Sequence, residues 1–418
     1  MSEGRSVRTR PGWALFLLAA ISTCGFIDRI VMNVLVEPIK REFALTDFQV
    51  GLVAGLAFAL LNVVLGLWVA RIAERRRRLT LISVGTLLWS VATAVCGFAG
   101  SFTGLILARI GVGVGEAVGL PATSSVISDY FPREKRATAM SVLLLAPPIG
   151  AFLGSAIGAL VAQAYGWRAA FFIASVPGFL LGLLVAFTVA EPRRGGHDPA
   201  EADAATIPSF GAVLRRIATR RALVHFFAGS TVASLVGFGL NAFLAAFLLR
   251  RFGFSVAGAG VIAGLITSLP ASLGVFGGGW LADRLGRRDP AAYGLVPGLT
   301  LLVAAPLYML AVTRASAPAA IALLAAAACV QYCYLGITAG VFQNMMHPRM
   351  RASATAVTGL VYSLIGGALG PLLIGGLSDR LAGGLPTAMA IVAAGYAWAG
   401  LHYLAAARPL RRELPLPV

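Results

Sequence analysis

Twelve runs of apolar residues, each long enough to cross a lipid bilayer, leave this chain few ways to fold. They lie near 12–36, 47–72, 79–101, 103–130, 136–164 and 168–190, and again near 222–249, 255–284, 290–313, 317–346, 351–380 and 385–407. A helix spans the hydrocarbon core with about 20 residues. Inside that core no water satisfies backbone N–H and C=O groups, so the segment must close its own hydrogen bonds. The chain therefore reads as an all-α membrane protein of twelve transmembrane helices. Only 12% of its residues are charged and 58% are hydrophobic, whereas soluble domains carry about 25% charged residues. The 49 glycines suit helices that pack closely in lipid. The first run follows basic residues as a signal peptide would. It is too long for one, lacks a small-residue cleavage site and carries Asp28 and Arg29, so it reads as the first spanning helix.

The net charge of +17 does not point to nucleic acid, because the basic residues sit in short loops between apolar runs. With both termini placed in the cytoplasm, 25 of the 34 Lys and Arg fall on the cytoplasmic side and seven outside. The remaining two, Arg29 and Arg109, lie within runs. That asymmetry sets the orientation of a multi-pass protein of the inner, or plasma, membrane. Cys24, Cys96, Cys329 and Cys333 all fall within spans, and with no His or carboxylate beside them they imply neither a metal site nor a disulfide framework. The four histidines, His197, His225, His347 and His402, are scattered rather than clustered as an enzyme would need. No G-x-x-x-x-G-K-[ST] loop is present. The expectation is therefore no enzyme, no cofactor and no metal, with a proton gradient as the energy source.

The chain repeats itself. Ala-Arg-Ile-Ala-Glu-Arg-Arg-Arg-Arg at 70–78 follows the second run, and Gly-Trp-Leu-Ala-Asp-Arg-Leu-Gly-Arg-Arg at 279–288 follows the eighth. Pro132-Arg133 with Arg136-Ala-Thr-Ala139 is echoed by Pro348-Arg349 with Arg351-Ala-Ser-Ala354. Such spacing predicts two six-helix bundles of the same orientation, 1–190 and 222–418, joined by a polar cytoplasmic linker at 191–221. Parallel halves related by an axis along the membrane normal are one known way of building a transporter.

The 279–288 segment resembles the loop motif of the major facilitator superfamily. The resemblance implies that fold, and a gating role for Asp283 and Arg284 and for Glu74 and Arg75. The first copy departs from the motif at Ala70, Glu74 and Arg77. A narrower resemblance is to the spinster-like branch. It rests on Phe26-Ile-Asp28-Arg29, Val36-Glu37-Pro38-Ile39-Lys40-Arg41, Gly51-Leu52, Arg-Ile-Gly-Val-Gly-Val-Gly-Glu-Ala at 109–117, and Asp129-Tyr-Phe-Pro132-Arg133. Members of that branch move lysolipids or sphingoid phosphates. The anion–cation symporter branch also carries an Asp-Arg pair and an Arg…Gly…Glu segment. The second half matches at superfamily level only.

Asp28, Arg29, Arg109 and Glu116 are charges inside apolar runs. An ionisable side chain there costs several kcal/mol unless it is paired or faces water. At about 1.5 Å rise per residue, Asp28 lies roughly 12 Å from the outer end of the first helix. Arg109 and Glu116 lie roughly 8 and 18 Å from the outer end of the fourth. All four share one band, and Arg109 and Glu116, seven residues apart, share one helix face. Asp28 and Glu116 are candidate proton sites. Arg29 and Arg109 are candidate substrate sites, which hold the carboxylates when ionised and an anionic substrate group when the carboxylates are protonated. Two static salt bridges are the competing reading. The pairing stays open: Asp28 with Arg109 and Arg29 with Glu116, or each pair within its own helix.

The second half offers His225, Asn241, Tyr332, Tyr334, Gln343 and Asn344 but no mid-membrane charge. A charged wall facing an apolar one suits an amphiphile with an acidic head, with Asn241 and Tyr334 as candidate contacts. Pro147-Pro148-Ile-Gly150, followed by Gly154 and Gly158, resembles a fifth-helix motif of antiporters, which implies export; plain close packing of the glycine stripe is the competing reading. The expectation is thus a proton-coupled secondary transporter, monomeric, with a lipid-like or small-molecule substrate and membrane lipids as partners. A small-organic-acid symporter, a drug exporter, and a passive lipid flippase or receptor are the alternatives.

Overall fold

The computed structural model describes residues 10–59, 65, 77–132, 135, 139–140, 142–143, 145–193, 210–346 and 350–413. Among them the regular structure is helical throughout, without a strand. In chain order the helices are α1 (Pro11–Phe43), α2 (Asp47–Gly51), α3 (Arg78–Gly97), α4 (Phe102–Glu116), α5 (Gly119–Tyr130), α6 (Ala146–Tyr165), α7 (Trp167–Thr188) and α8 (Phe210–Thr219). Then follow α9 (Arg221–Phe252), α10 (Val256–Gly286), α11 (Ala292–Thr313), α12 (Ala317–Met345), α13 (Arg351–Val361), α14 (Gly370–Arg380), α15 (Gly384–Ala393) and α16 (Gly395–Glu413). Among the described residues ten helical stretches are long and apolar enough to cross a membrane.

Three differences from the apolar-run reading have physical causes. The run at 103–130 is two helices, interrupted at Ala117 and Val118. Gly115, just before the break, is needed for contact: a Cβ there would meet the Trp89 amide nitrogen at 2.5 Å. The run at 351–380 is α13 and α14 joined by a π-helix, Tyr362–Leu369, and a second π-turn, Leu52–Leu56, follows α2. The 191–221 linker, read as polar loop, contains helix α8, whose Val213 and Ile217 are buried one turn apart.

The chain forms two compact units. The first comprises Met1–Phe43, Ala57–Ala205 and Ser255–Gly264; the second comprises Ala44–Leu56, Thr206–Phe254 and Leu265–Val418. In the first unit Leu17, Leu18, Ile21, Ile82, Val126 and Leu143 form a core. Beside it α1 and α6 approach along a ladder of glycines spaced by four. A Cβ on Gly154 would lie 2.8 Å from the Ile27 carbonyl oxygen, and one on Gly158 would lie 2.9 Å from Val31 Cγ2. On Gly150 it would collide with Phe26 Cβ. Small residues at this spacing let backbones come together where lipid offers no hydrophobic driving force.

In the second unit the start of α2 is tied down by charge. Arg250 grips Asp47 through both oxygens at 2.8 Å, and the Ser378 hydroxyl donates to Asp47 Oδ2 at 2.6 Å. The Asp379 carboxylate accepts from the Asp47 and Phe48 amides at 2.8 and 2.7 Å, which satisfies donors a helix start leaves open. Thr46 completes a capping box with Gln49. Between α10 and α11, the Arg411 guanidinium and the Ala291 amide hold the Asp289 carboxyl below its usual range. A lowered folded pKa gives stability that is present at neutral pH and lost as pH falls through the acidic carboxylate range.

Candidate functional site

All four intramembrane charges belong to the first unit, and they pair between helices. Successive helical residues differ by about 100° in direction. Asp28 and Arg29, adjacent on α1, therefore reach different partners on α4. Arg109 Nη1 donates to Asp28 Oδ2 at 3.0 Å, and Arg29 Nε donates to Glu116 Oε2 at 2.6 Å. Of the two pairings open from sequence, the structure has the crossed one.

The two pairs differ in surroundings. Asp28 and Arg109 are 0% and 1% exposed. Asp28 Oδ1 also accepts from the Thr93 hydroxyl at 2.7 Å, and Thr93 Oγ lies 2.9 Å from the Trp89 carbonyl. The hydroxyl has one proton for these two acceptors. With Asp28 ionised it donates to the carboxylate; with Asp28 protonated on Oδ1 it accepts and donates to Trp89. Thr93 thus satisfies either protonation state of Asp28. Thr93→Val is expected to lower stability by about 1–3 kcal/mol by leaving Asp28 Oδ1 without a donor. Thr93→Ser should restore most of it, as read by thermal unfolding in detergent.

The other pair is more exposed. The Arg29 side chain is 39% exposed against 3% for Glu116. Its guanidinium stacks over Phe58 at 4.9 Å and Phe26 at 5.2 Å, a setting that holds a cation without neutralising it. Both Arg29 donors fall on one oxygen of Glu116, Oε2, while Oε1 is buried without a partner. A Cβ on Gly25 would lie 4.0 Å from Glu116 Oε1, so glycine there leaves room beside the carboxyl. A cavity of about 130 Å³ runs along these groups, lined by Ser22, Gly25, Arg29, Thr86, Trp89 and Glu116 among others. Chemically, the carboxyl can take a proton on its free oxygen, and the guanidinium can exchange its carboxylate for another anion. The Arg109 Nε donor is also buried without a partner.

A third charge cluster of this unit was read from sequence only as a topology signal. Arg78, the last residue of a four-arginine run, is buried at the start of α3. It pairs with Asp129 at 2.5 Å and Glu191 at 2.9 Å and donates to the Ser125 hydroxyl. The available signal was an acid at the end of the 103–130 run, Asp129, and another at the start of the linker, Glu191. Among the remaining expected gate residues, Glu74 and Arg75 lie outside the described residues. Asp283 accepts from the Tyr293 hydroxyl at 3.1 Å and Arg284 lies over Trp280. Among the described residues neither Asp283 nor Arg284 forms an ion pair.

In the second unit Asn241 donates to the Tyr332 hydroxyl at 3.0 Å. Tyr334 instead lies in the packed interior, 5% exposed and against the Tyr403 ring. Sequence reading missed Gln331, Tyr308 and Tyr396. Tyr308 donates to Gln331 at 3.0 Å and stacks on Tyr396, whose hydroxyl is buried without a partner.

Comparison with known proteins agrees with this architecture. The profile described as Major Facilitator Superfamily matches residues 17–371. An MFS-type efflux pump of Mycolicibacterium smegmatis is 32% identical over 373 residues, covering 89% of this chain and 86% of that protein. A sphingosine-1-phosphate transporter of Danio rerio is 25% identical over 381 residues, covering 87% of this chain and 75% of that one. The crystal structure of a bacterial homolog to the human lysosomal transporter spinster, inward-facing and unoccupied, superposes with a TM-score of 0.89 at 29% identity, over 99% of this chain and 100% of that one. The chain therefore belongs to the Major Facilitator Superfamily, as a transporter, not an enzyme, that resembles its spinster-like branch.

Proposed function

We propose that this chain is a proton-coupled secondary transporter that moves an amphiphile with an acidic head, lysolipid-like, by alternating access across the inner membrane. In this reading twelve helices cross the bilayer and both termini are cytoplasmic. One observation carries it: the half-exposed Arg29 holds Glu116 through a single oxygen, beside a cavity, while the other oxygen is unpartnered. A proton on Glu116 removes its charge and releases Arg29. The freed guanidinium then takes a phosphate or carboxylate of the substrate, with the apolar cavity wall against its tail. Loss of the proton restores the internal pair and expels the anion. Asp28 is the second proton site in this reading, with the Thr93 hydroxyl as its neighbour. A relative that carries a phosphate-headed lipid supports the substrate class, and a relative that is an efflux pump supports export.

The test is flux in proteoliposomes, with a fluorescent lysophospholipid as substrate and an imposed pH gradient. Uptake is expected to follow the gradient in the native chain. It should lose the pH dependence in Glu116→Gln and Asp28→Asn while exchange of substrate for substrate continues. Full gradient-driven uptake by both variants would end the coupling hypothesis. Equal flux with and without a gradient in the native chain would favour a passive flippase.

A further inference from the structure

We infer that helix α8 and the turn after it form a binding site for the headgroup phosphate of an anionic phospholipid. The helix is held to the second unit by Val213 and Ile217, both buried. Its other side lines a cavity of about 510 Å³, bounded by Gly211, Ala212, Arg215, Arg216, Thr219 and Met350. Gly211, Arg215 and Thr219 are each four residues apart, and Ala212 and Arg216 likewise, so one helix face builds the wall. Glycine and alanine at its far end leave space that larger side chains would fill.

The charge at this place is one-sided. Arg215 and Arg216 are followed by Arg220 and Arg221, four guanidinium groups within seven residues. Arg216 spends one donor on the Met345 carbonyl at 3.3 Å, at the end of α12. Among the described residues none of the four has an acidic partner, whereas Arg250 and Arg411 of the same unit do. Arg220 is extended, at φ −110° and ψ 112°, and α9 starts at the next residue. Since α9 is a spanning helix by length and hydropathy, α8 stands directly before its entry into the bilayer. Leu214, beside Arg215, is 51% exposed. An exposed leucine next to paired arginines at the mouth of a spanning helix matches the boundary between acyl chains and headgroups. A planar guanidinium binds phosphate through two parallel hydrogen bonds, and basic clusters adjoining a spanning helix attract anionic lipid by about 1 kcal/mol per residue. The site does not depend on the transport reading, because none of its residues belongs to the Asp28–Glu116 constellation.

The test uses the full chain purified in neutral detergent, with phosphatidylglycerol titrated against apparent melting temperature and phosphatidylcholine as the zwitterionic, net-neutral comparison. Phosphatidylglycerol is expected to stabilise the native chain and phosphatidylcholine to do so far less. Arg215→Gln with Arg216→Gln should weaken apparent phosphatidylglycerol affinity about 30-fold, the product of two such interactions. Arg220→Gln with Arg221→Gln should weaken it comparably. Replacement of Arg215 and Arg216 by Lys should keep most of the response, which separates lost charge from a damaged fold, and Arg314→Gln should leave it unchanged. Less than a threefold change in both glutamine variants would overturn the site, as would equal stabilisation by phosphatidylcholine. The first of those outcomes would favour the linker's own Asp198, Glu201 and Asp203 as what the arginines meet. Stabilisation of the same size by soluble glycerol 1-phosphate would replace the lipid with a free phosphate ester.

Discussion

Arg109→Met is expected to destabilise the first unit by about 3–5 kcal/mol, the cost of leaving one member of a buried ion pair without the other. Methionine fills much of the volume with an unbranched chain, so the loss is electrostatic more than steric. Asp28 has no water to turn to: it is fully buried, and its remaining donor is the single Thr93 proton. Asp28→Asn should cost a similar amount: the amide still bonds Thr93, but Arg109 cannot shed its charge and keeps only the Phe58 face at 5.5 Å. The combination of the two should cost less than their sum, since a neutral pair buries no charge. Thermal and denaturant unfolding of the four proteins in one detergent closes the cycle. Additive losses would show that the pair is not coupled.

Arg29→Ala is expected to act on transport far more than on folding. Its side chain is more than one-third exposed, so little of its pairing energy with Glu116 is realised as stability. In the proposed cycle the same guanidinium holds the substrate anion, and a charge-assisted contact of that kind is worth about 10- to 100-fold in affinity. The half-saturating concentration should rise by that factor, and neutral analogues lacking the acidic group should be carried no worse than by the native chain. Arg29→Lys should recover part of the loss but not all, because an ammonium cannot make two parallel bonds to one phosphate. An unchanged half-saturation in Arg29→Ala would remove Arg29 from the binding step.

The helices were legible because a bilayer penalises every alternative to them. The band holding Asp28, Arg29, Arg109 and Glu116 was legible because rise per residue converts sequence position into depth. Pairing was not, since it depends on how α1 and α4 are rotated about their own axes, and a 100° turn exchanges the roles of Asp28 and Arg29. The unequal exposure of the two arginines was hidden for the same reason. Gln331, Tyr308 and Tyr396 escaped notice because neutral polar residues in an apolar run read as packing until their hydrogen bonds are seen. Helix α8 escaped because two buried positions, Val213 and Ile217, were outweighed by the polar composition around them. Arg78 was counted as loop charge, and only the folded chain brings Asp129 and Glu191 to it.

The glycine ladder of α6 has a consequence for how this protein and its relatives can diverge. It grips α1 at Phe26, Ile27 and Val31, on either side of the two charges. Those contacts fix the helix in register as well as in distance. Side chains on the cavity side can be exchanged one at a time, but a single inserted or deleted residue between 23 and 31 would swing Asp28 and Arg29 off their partners. Divergence in substrate preference should therefore accumulate as substitutions within an ungapped first helix. A transport-competent relative with a one-residue gap inside that stretch would contradict this.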